Sequence, residues 1–288
     1  MNWSIQILNS VSFAMLLFLI ASGLTLIFGL MRIANLAHGS FYLLGAYIGL
    51  TVLDRTENFA LAMLVACIFV PLGGFIVQGL FINRLTDKAG EKQRLLPQVL
   101  LTFGFMFILA DLCLFIWGGT PQTLSKPEIF SSSVSIGGMY FPSYRFFVVG
   151  CGFVIAIGLW LLLEKTKIGA MVRAGVDDQE MARAVGVNVP VLFTIVFALG
   201  IALAALAGVL GGPIVGVAPG LDMDILLFGL VVVVIGGLGS IKGAFIGSLV
   251  VGLLDNFGKA LFPQLSLFTI FAPMALVLAF RPKGLFGK

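Results

Sequence analysis

Residues 5–30 read IQILNSVSFAMLLFLIASGLTLIFGL, a stretch without one charged side chain. A helix that crosses a hydrocarbon core about 30 Å thick needs about 20 mainly apolar residues, and this stretch exceeds that. No Lys or Arg precedes Arg32, so the stretch lacks the basic leader of a secretory signal and is too long for its apolar region. It is expected to be a true span, and a helix, because only a helix satisfies all its backbone hydrogen bonds within one segment in lipid.

Composition extends that reading to the rest of the chain. Of 288 residues, 60% are hydrophobic and 10% charged, against about 45 to 50% and about 25% in soluble domains. So few charges cannot make a polar skin, which excludes a soluble enzyme, a nucleic-acid binder and a disordered chain. The net charge of +4 would suggest a nucleic-acid partner in a soluble protein; here it reports basic loops that anchor a membrane protein on the cytoplasmic side, and no nucleic acid is implied. Cys67, Cys113 and Cys151 lie within apolar runs, an odd set that argues for free thiols and against a disulfide framework.

Further apolar segments follow at 36–53, 59–82, 95–117, 146–163, 191–210, 225–238, 244–262 and 265–280. Two of the intervening loops are basic: one carries Arg84, Lys88, Lys92 and Arg94, the other, at 164–190, carries Lys165, Lys167, Arg173 and Arg183. The stretch 118–145 holds only Lys126 and Arg145 and is expected outside. With the N-terminus outside and the C-terminus inside, four of the 17 basic residues, Arg55, Lys126, Arg145 and Lys259, face outward, as the positive-inside bias demands. The expected fold is an all-α integral membrane protein, a polytopic bundle of eight or nine transmembrane helices with short loops. Segment 225–238 is short enough to be re-entrant or broken. Residues 1–288 are read as one integral membrane domain, with a short cytoplasmic helix in loop 164–190.

The 36 glycines include small-x-x-x-small spacings, Gly45 with Gly49 and Gly243 with Gly247, that let helix backbones approach. The run Gly236 to Gly243 is denser than such packing requires, yet it lacks the ending of a phosphate loop. Polar groups inside apolar segments are few. His38, the only histidine, sits with Asn35 and Ser40 close to the cytoplasmic end of the second segment, and Asp111 lies near the outer end of the fourth. His38 and Asp111 are candidates for a solute path, weighed against capping or snorkelling roles. Asp222 and Asp224 read as a helix-start signal. No acid, base or nucleophile set and no metal-ligand cluster assembles, so enzyme chemistry is not expected and no metal site is proposed. In loop 164–190, Asp177 is expected to cap a short helix, with Glu180 completing a capping box and Gly186 ending it. Such a helix suits docking onto a soluble partner, or serves as a solvated connector.

The residues Gly23 to Gly29, Ile33 to Ser40 and Leu44 to Tyr47 resemble the signature of the branched-chain amino acid ABC transporter permeases, specifically the first of their two paired permeases. Glu180 to Gly186 resembles the Glu-Ala-Ala-x-x-x-Gly loop by which importer permeases engage their ATPases, with Met181 in place of its first alanine. Gly236 to Gly243 with Ala244 and Gly247 resembles the family's late glycine segment. The resemblance implies an importer half in a bacterial inner membrane. Its partners would be a second related permease, two cytoplasmic ATP-binding subunits, a periplasmic protein delivering leucine, isoleucine or valine, and the surrounding lipid. This chain would bind no cofactor, ATP being used by the partner subunits. Arg173, Asp177, Glu180, Ala182, Arg183 and Gly186 would form the coupling segment, and Asn35, His38, Ser40 and Asp111 the path. Alternatives are a urea or short-amide permease of the same family, and an ATP-independent secondary transporter or channel.

Overall fold

A computed structural model describes residues 3–31, 35–79 and 95–287. The basic residues expected in the loop after the third segment, Arg84, Lys88, Lys92 and Arg94, lie outside the described residues, as does Arg32. Each of the nine apolar segments forms a helix, and the elements run in this order. Helix α1 is Trp3–Met31, α2 His38–Thr56, α3 Phe59–Val77 and α4 Leu95–Trp117. A hairpin of β1 (Ser133–Ile136) and β2 (Met139–Pro142) precedes α5, Ser143–Lys165. Then come α6 (Lys167–Asp177), α7 (Gln179–Ala184), α8 (Val189–Val215), α9 (Leu221–Gly236), α10 (Ile241–Leu261) and α11 (Ser266–Phe280).

Six of these are long and apolar enough to cross a membrane: α1, α3, α4, α5, α8 and α10. Helix α9, with 16 residues, rises about 24 Å and falls short of a hydrocarbon core about 30 Å thick. The protein is an all-α membrane protein with, among the described residues, one small hairpin in the expected outer stretch. That hairpin turns at Gly137 and Gly138, both at positive φ (60° and 78°), the geometry that two-residue turns between twisted strands require and glycine supplies without strain.

The helices are not equivalent in burial. In its most apolar stretch α1 is 83% buried, whereas those of α3, α4 and α5 are 17 to 22% buried. Helix α1 is therefore the hub, apolar on every side because it meets protein on every side, and it touches α5, α6, α8, α9 and α10. The three peripheral helices turn Phe69, Leu72, Phe107, Phe115 and Val154 outward, as lipid-facing helices do.

Lipid tails are as apolar as leucine, so close packing of small residues holds such helices together. A Cβ on Gly45 would lie 2.5 Å from the Ala205 Cα, and one on Gly49 would lie 2.7 Å from Val209 Cγ2, which seats α2 on α8. The late glycine run is likewise explained by packing: a side chain on Gly236 would overlap the Gly243 carbonyl and one on Gly243 would overlap the Gly236 carbonyl. The cysteines are free, Cys113 buried and Cys67 and Cys151 half-buried.

Candidate functional site

Two arrangements carry the polar chemistry, one deep in the bundle and one at its end. The deep one starts where the chain turns into α2. Asn35 accepts from the Ala37 N–H through Oδ1 at 3.1 Å and from the His38 N–H through its carbonyl at 3.2 Å. This tight turn delivers His38, fully buried, to the Ile20 carbonyl, 3.1 Å from Nε2. A carbonyl only accepts, so Nε2 carries the proton and Nδ1 is a bare acceptor.

His38 opens the second helix, as the sequence indicates, and does so inward of the bundle end. It lies against Ile20 and Gly23 of α1, six to nine residues before Gly29, which packs on Gly239 at the bundle end. At 1.5 Å per residue that is about 9 to 14 Å inward. The cause is that α2 begins partway along α1 and not at its level.

Ser40 lies one turn from Asn35 and donates to Asp222 Oδ2 at 2.9 Å, with Met106 O at 3.3 Å. Asp222 is 4% exposed, and a side chain on Gly39 would overlap its carbonyl oxygen. The starts of α2 and α9 are thus locked together. Asp222 and Asp224 both occupy the first turn of α9, as the sequence indicates; two residues of helix put them about 200° apart, so one faces in and the other out. Among the described residues, five buried polar atoms hereabouts and along α1 and α2 lack a hydrogen-bond partner: Thr25 Oγ1, Asn35 Nδ2, His38 Nδ1, Tyr42 Oη and Tyr47 Oη. Leaving such groups unpaired costs about 1 to 3 kcal/mol each, so each would gain by meeting a polar solute. Asp111 does not join them; it sits on the exposed face of α4, because that helix turns only one side to the bundle.

The Ser40–Asp222 contact makes a stability prediction. Asp222→Ala is expected to lower the thermal midpoint of the detergent-solubilised protein, a loss of about 1 to 3 kcal/mol, while Asp224→Ala, whose side chain is exposed, leaves it in place. Equal midpoints for the two variants would remove Asp222 from the lock.

The second arrangement is the segment between α5 and α8, which holds two helices where the sequence suggests one. Thr166 caps α6 by accepting from the Gly169 N–H at 3.1 Å. Gly169 is required there, since a Cβ would overlap the Leu163 carbonyl. Arg173 donates to that same carbonyl and lies 3.8 Å from Glu164 Oε2. Its guanidinium therefore staples α6 back onto the end of α5.

The cap of α7 is Asp178, not Asp177. Asp178 has the extended backbone of a cap, φ −152° and ψ 107°, and its Oδ1 accepts from the N–H groups of Glu180 and Met181, both at 2.9 Å. Asp177 is still the last residue of α6, so it cannot cap, and Glu180 falls one position short of closing a capping box. At the other end, Gly186 N donates to Arg183 O and Val187 N to Ala182 O, both at 3.0 Å, with Gly186 at φ +91°. This is a Schellman closure, which favours glycine at that position.

Within α7, Ala182 is 2% exposed and anchors the helix. Met181 is 62% and Val185 72% exposed, four residues apart and so on one face, flanked by exposed Glu180 and Arg183. Sequence reasoning noted Met181 only as a departure from the resembled loop and passed over Val185; the signal was two apolar residues at helical spacing inside a polar loop. A six-residue helix held at both ends, presenting an apolar pair edged with both charges, is built to be gripped from outside.

A family model described as "Branched-chain amino acid transport system / permease component" matches residues 6–279. Among curated proteins, the high-affinity branched-chain amino acid transport system permease protein BraD of Pseudomonas aeruginosa is 29% identical, covering 98% of this chain and 95% of its own. The permease protein LivH of the same kind of system in Escherichia coli is 26% identical over 98% and 95%. Among solved structures, PsaBC from Streptococcus pneumoniae in complex with Fab superposes with a TM-score of 0.52 at 14% identity, covering 96% of this chain and 92% of that one; that likeness is one of fold.

Proposed function

The chain belongs to the branched-chain amino acid transport permease family, and from that premise we propose that it is the membrane-spanning permease subunit of an ATP-driven importer of leucine, isoleucine and valine. The observation that carries the reading is the near full-length correspondence with transport permeases of that kind, joined to an exposed, doubly capped α7 at one end of the bundle. Its relatives are transport permease proteins by name. The partners are a second related permease, two cytoplasmic ATP-binding subunits and a periplasmic binding protein.

Orientation follows from the charges. The end that bears α6 and α7 also bears Lys165, Lys167, Arg173 and Arg183, and Arg281 and Lys283 follow α11 where Leu285 and Phe286 donate to the Ile235 and Gly236 carbonyls. The positive-inside bias makes that end cytoplasmic, in a bacterial inner membrane, with the N-terminus outside and the nine apolar helices forming eight or nine passes. No cofactor is assigned to this chain; ATP belongs to the partner subunits.

In alternating access the ATP-binding subunits would move α7 by its Met181 and Val185 face, with Glu180 and Arg183 setting register. Asp178, Ala182 and Gly186 hold the helix as one piece, and the Asp178 N–H, which donates to the Ala174 carbonyl at 3.0 Å, ties α6 to it. Motion then passes to α5 through the staple and to α8 through Asn188, which caps α8 by accepting from the Val191 N–H at 3.3 Å. Helix α8 is seated on α2 by glycine contacts, so the turn at Asn35, His38 and Ser40 moves with it and the unpaired polar atoms meet the solute path. Asp111 stands apart from that path.

The test is uptake into proteoliposomes holding all subunits. Leucine accumulation that needs ATP hydrolysis, with urea ignored, is the expected result; uptake by the purified chain alone without ATP overturns the reading.

A further inference from the structure

Toward the end of the bundle opposite α6 and α7 lies a cavity of about 390 Å³ walled by Phe13, Arg145, Asp224, Phe228, Asp255 and Lys259, among others. Its size falls within the roughly 300 to 1,000 Å³ range of small-molecule sites. Phe13 precedes Gly29 by sixteen residues of α1, so the cavity lies about 24 Å from the cytoplasmic end, where a solute arriving from outside would first meet the bundle.

The charges around it have an unusual arrangement. Lys259 and Asp255 neutralise each other: Nζ is 2.8 Å from Oδ1 and donates to Oδ2 at 2.9 Å. Asp255 is 3% exposed, and the Lys259 ammonium rests 5.9 Å from the Phe13 ring centre and 5.8 Å from that of Phe228. These rings pack edge to face at 5.7 Å. This group is a rigid, internally balanced wall. Arg145 and Asp224 are different. Arg145 gives Nη1 to the Ser12 hydroxyl at 2.9 Å, and Asp224 is exposed at the cavity. Among the described residues neither has an ionic partner within 4.0 Å. One cation and one anion therefore share a cavity without neutralising each other or being neutralised.

A simple anion or a metal ion would satisfy one of them and be repelled by the other. A solute that carries both charges satisfies both. We propose that this cavity binds a free branched-chain α-amino acid as its zwitterion. The carboxylate lies on the Arg145 guanidinium, which offers paired donors. The ammonium lies on Asp224, and the branched side chain lies against Phe13, Phe228 and Ile225. The site would receive the solute before the bundle opens inward. It rests on the importer reading above and adds to it a place where this chain, and not its soluble partner, recognises the solute.

The test uses the complex of permeases and ATP-binding subunits in lipid nanodiscs, without the binding protein, and radiolabelled L-leucine as probe. Unlabelled 4-methylpentanoate, which lacks the ammonium, and 3-methylbutylamine, which lacks the carboxylate, are each expected to compete at least about tenfold less well than leucine, one lost charge contact being worth about a factor of ten. Arg145→Met and Asp224→Asn are each expected to weaken leucine binding about tenfold. Asp224→Glu, which keeps its charge, should recover most of the binding, and Arg145→Lys, which keeps the charge without the paired donors, part of it, which shows that loss is not misfolding. Leucine binding unchanged in both neutral variants, or analogues that compete as well as leucine, overturns the proposal. Uptake by the complete wild-type importer separates the two readings. ATP-driven leucine uptake with no leucine bound in the nanodisc assay overturns the cavity alone; absence of leucine uptake, with another solute carried, overturns the importer reading and this ligand with it.

Discussion

Gly186→Val is expected to cut ATP-driven leucine uptake about 100-fold while the chain still inserts in the membrane, near the upper end of the roughly 5- to 150-fold range typical of coupling between sites. Gly186 closes α7 at φ +91°, where a β-branched residue is strained by roughly 1 to 3 kcal/mol, and a helix of six residues has little with which to offset that. Once the Schellman bonds to Arg183 and Ala182 open, the Met181 and Val185 face loses its shape. Bundle packing is untouched, because nothing lies within 4 Å of the Cβ that would be added. Glu180→Lys should reproduce the loss without strain, since it reverses a charge beside the gripped face and leaves the Asp178 cap intact. Two measurements check this: uptake, and retention of the ATP-binding subunits during purification. Normal uptake in both variants would remove α7 from the coupling role.

How much of this was legible in the chain depended on the range of the interactions. The apolar segments were legible because the bilayer imposes a length and a polarity that each segment meets alone; 95–117 became α4 with the same bounds. Helix α6 was not, because its glycines at 169 and 175 weaken a helical reading, and the reason for Gly169 is a close approach to the Leu163 carbonyl, a contact between elements. The cap assigned to Asp177 fell one residue early because two adjacent aspartates offer the same oxygen, and only the backbone of α6 decides which is free to cap. The Ser40 and Asp222 pair spans 182 positions, beyond any local pattern, and so an aspartate that read as a helix start proved to be a buried lock as well. The depth of His38 was hidden for the same reason: sequence shows that it begins a helix, not the level at which that helix begins.

Gly208→Ala, the addition of one methyl group, is expected to remove most of the monodisperse protein recovered after solubilisation, whereas Gly104→Ala should be recovered in full. A Cβ at Gly208 would overlap the Tyr42 carbonyl and stand 2.8 Å from the Ala46 backbone nitrogen. Backbone cannot rotate aside as a side-chain tip can, so α8 and α2 must separate along their whole contact, and overpacking of this kind costs about 1 to 3 kcal/mol or more. That separation would also uncouple the buried Tyr42, whose ring faces Gly211 of the same helix. Gly104 has open space where its Cβ would go and lies inside α4, so alanine there should raise the thermal midpoint through the roughly 0.5 to 1 kcal/mol by which glycine weakens a helix interior. The two substitutions add the same atoms to the same kind of helix, so any difference isolates backbone approach from helix preference. Equal recovery of both would mean that α2 and α8 are not seated on each other, and the route from α7 to the turn at His38 would lose its middle link.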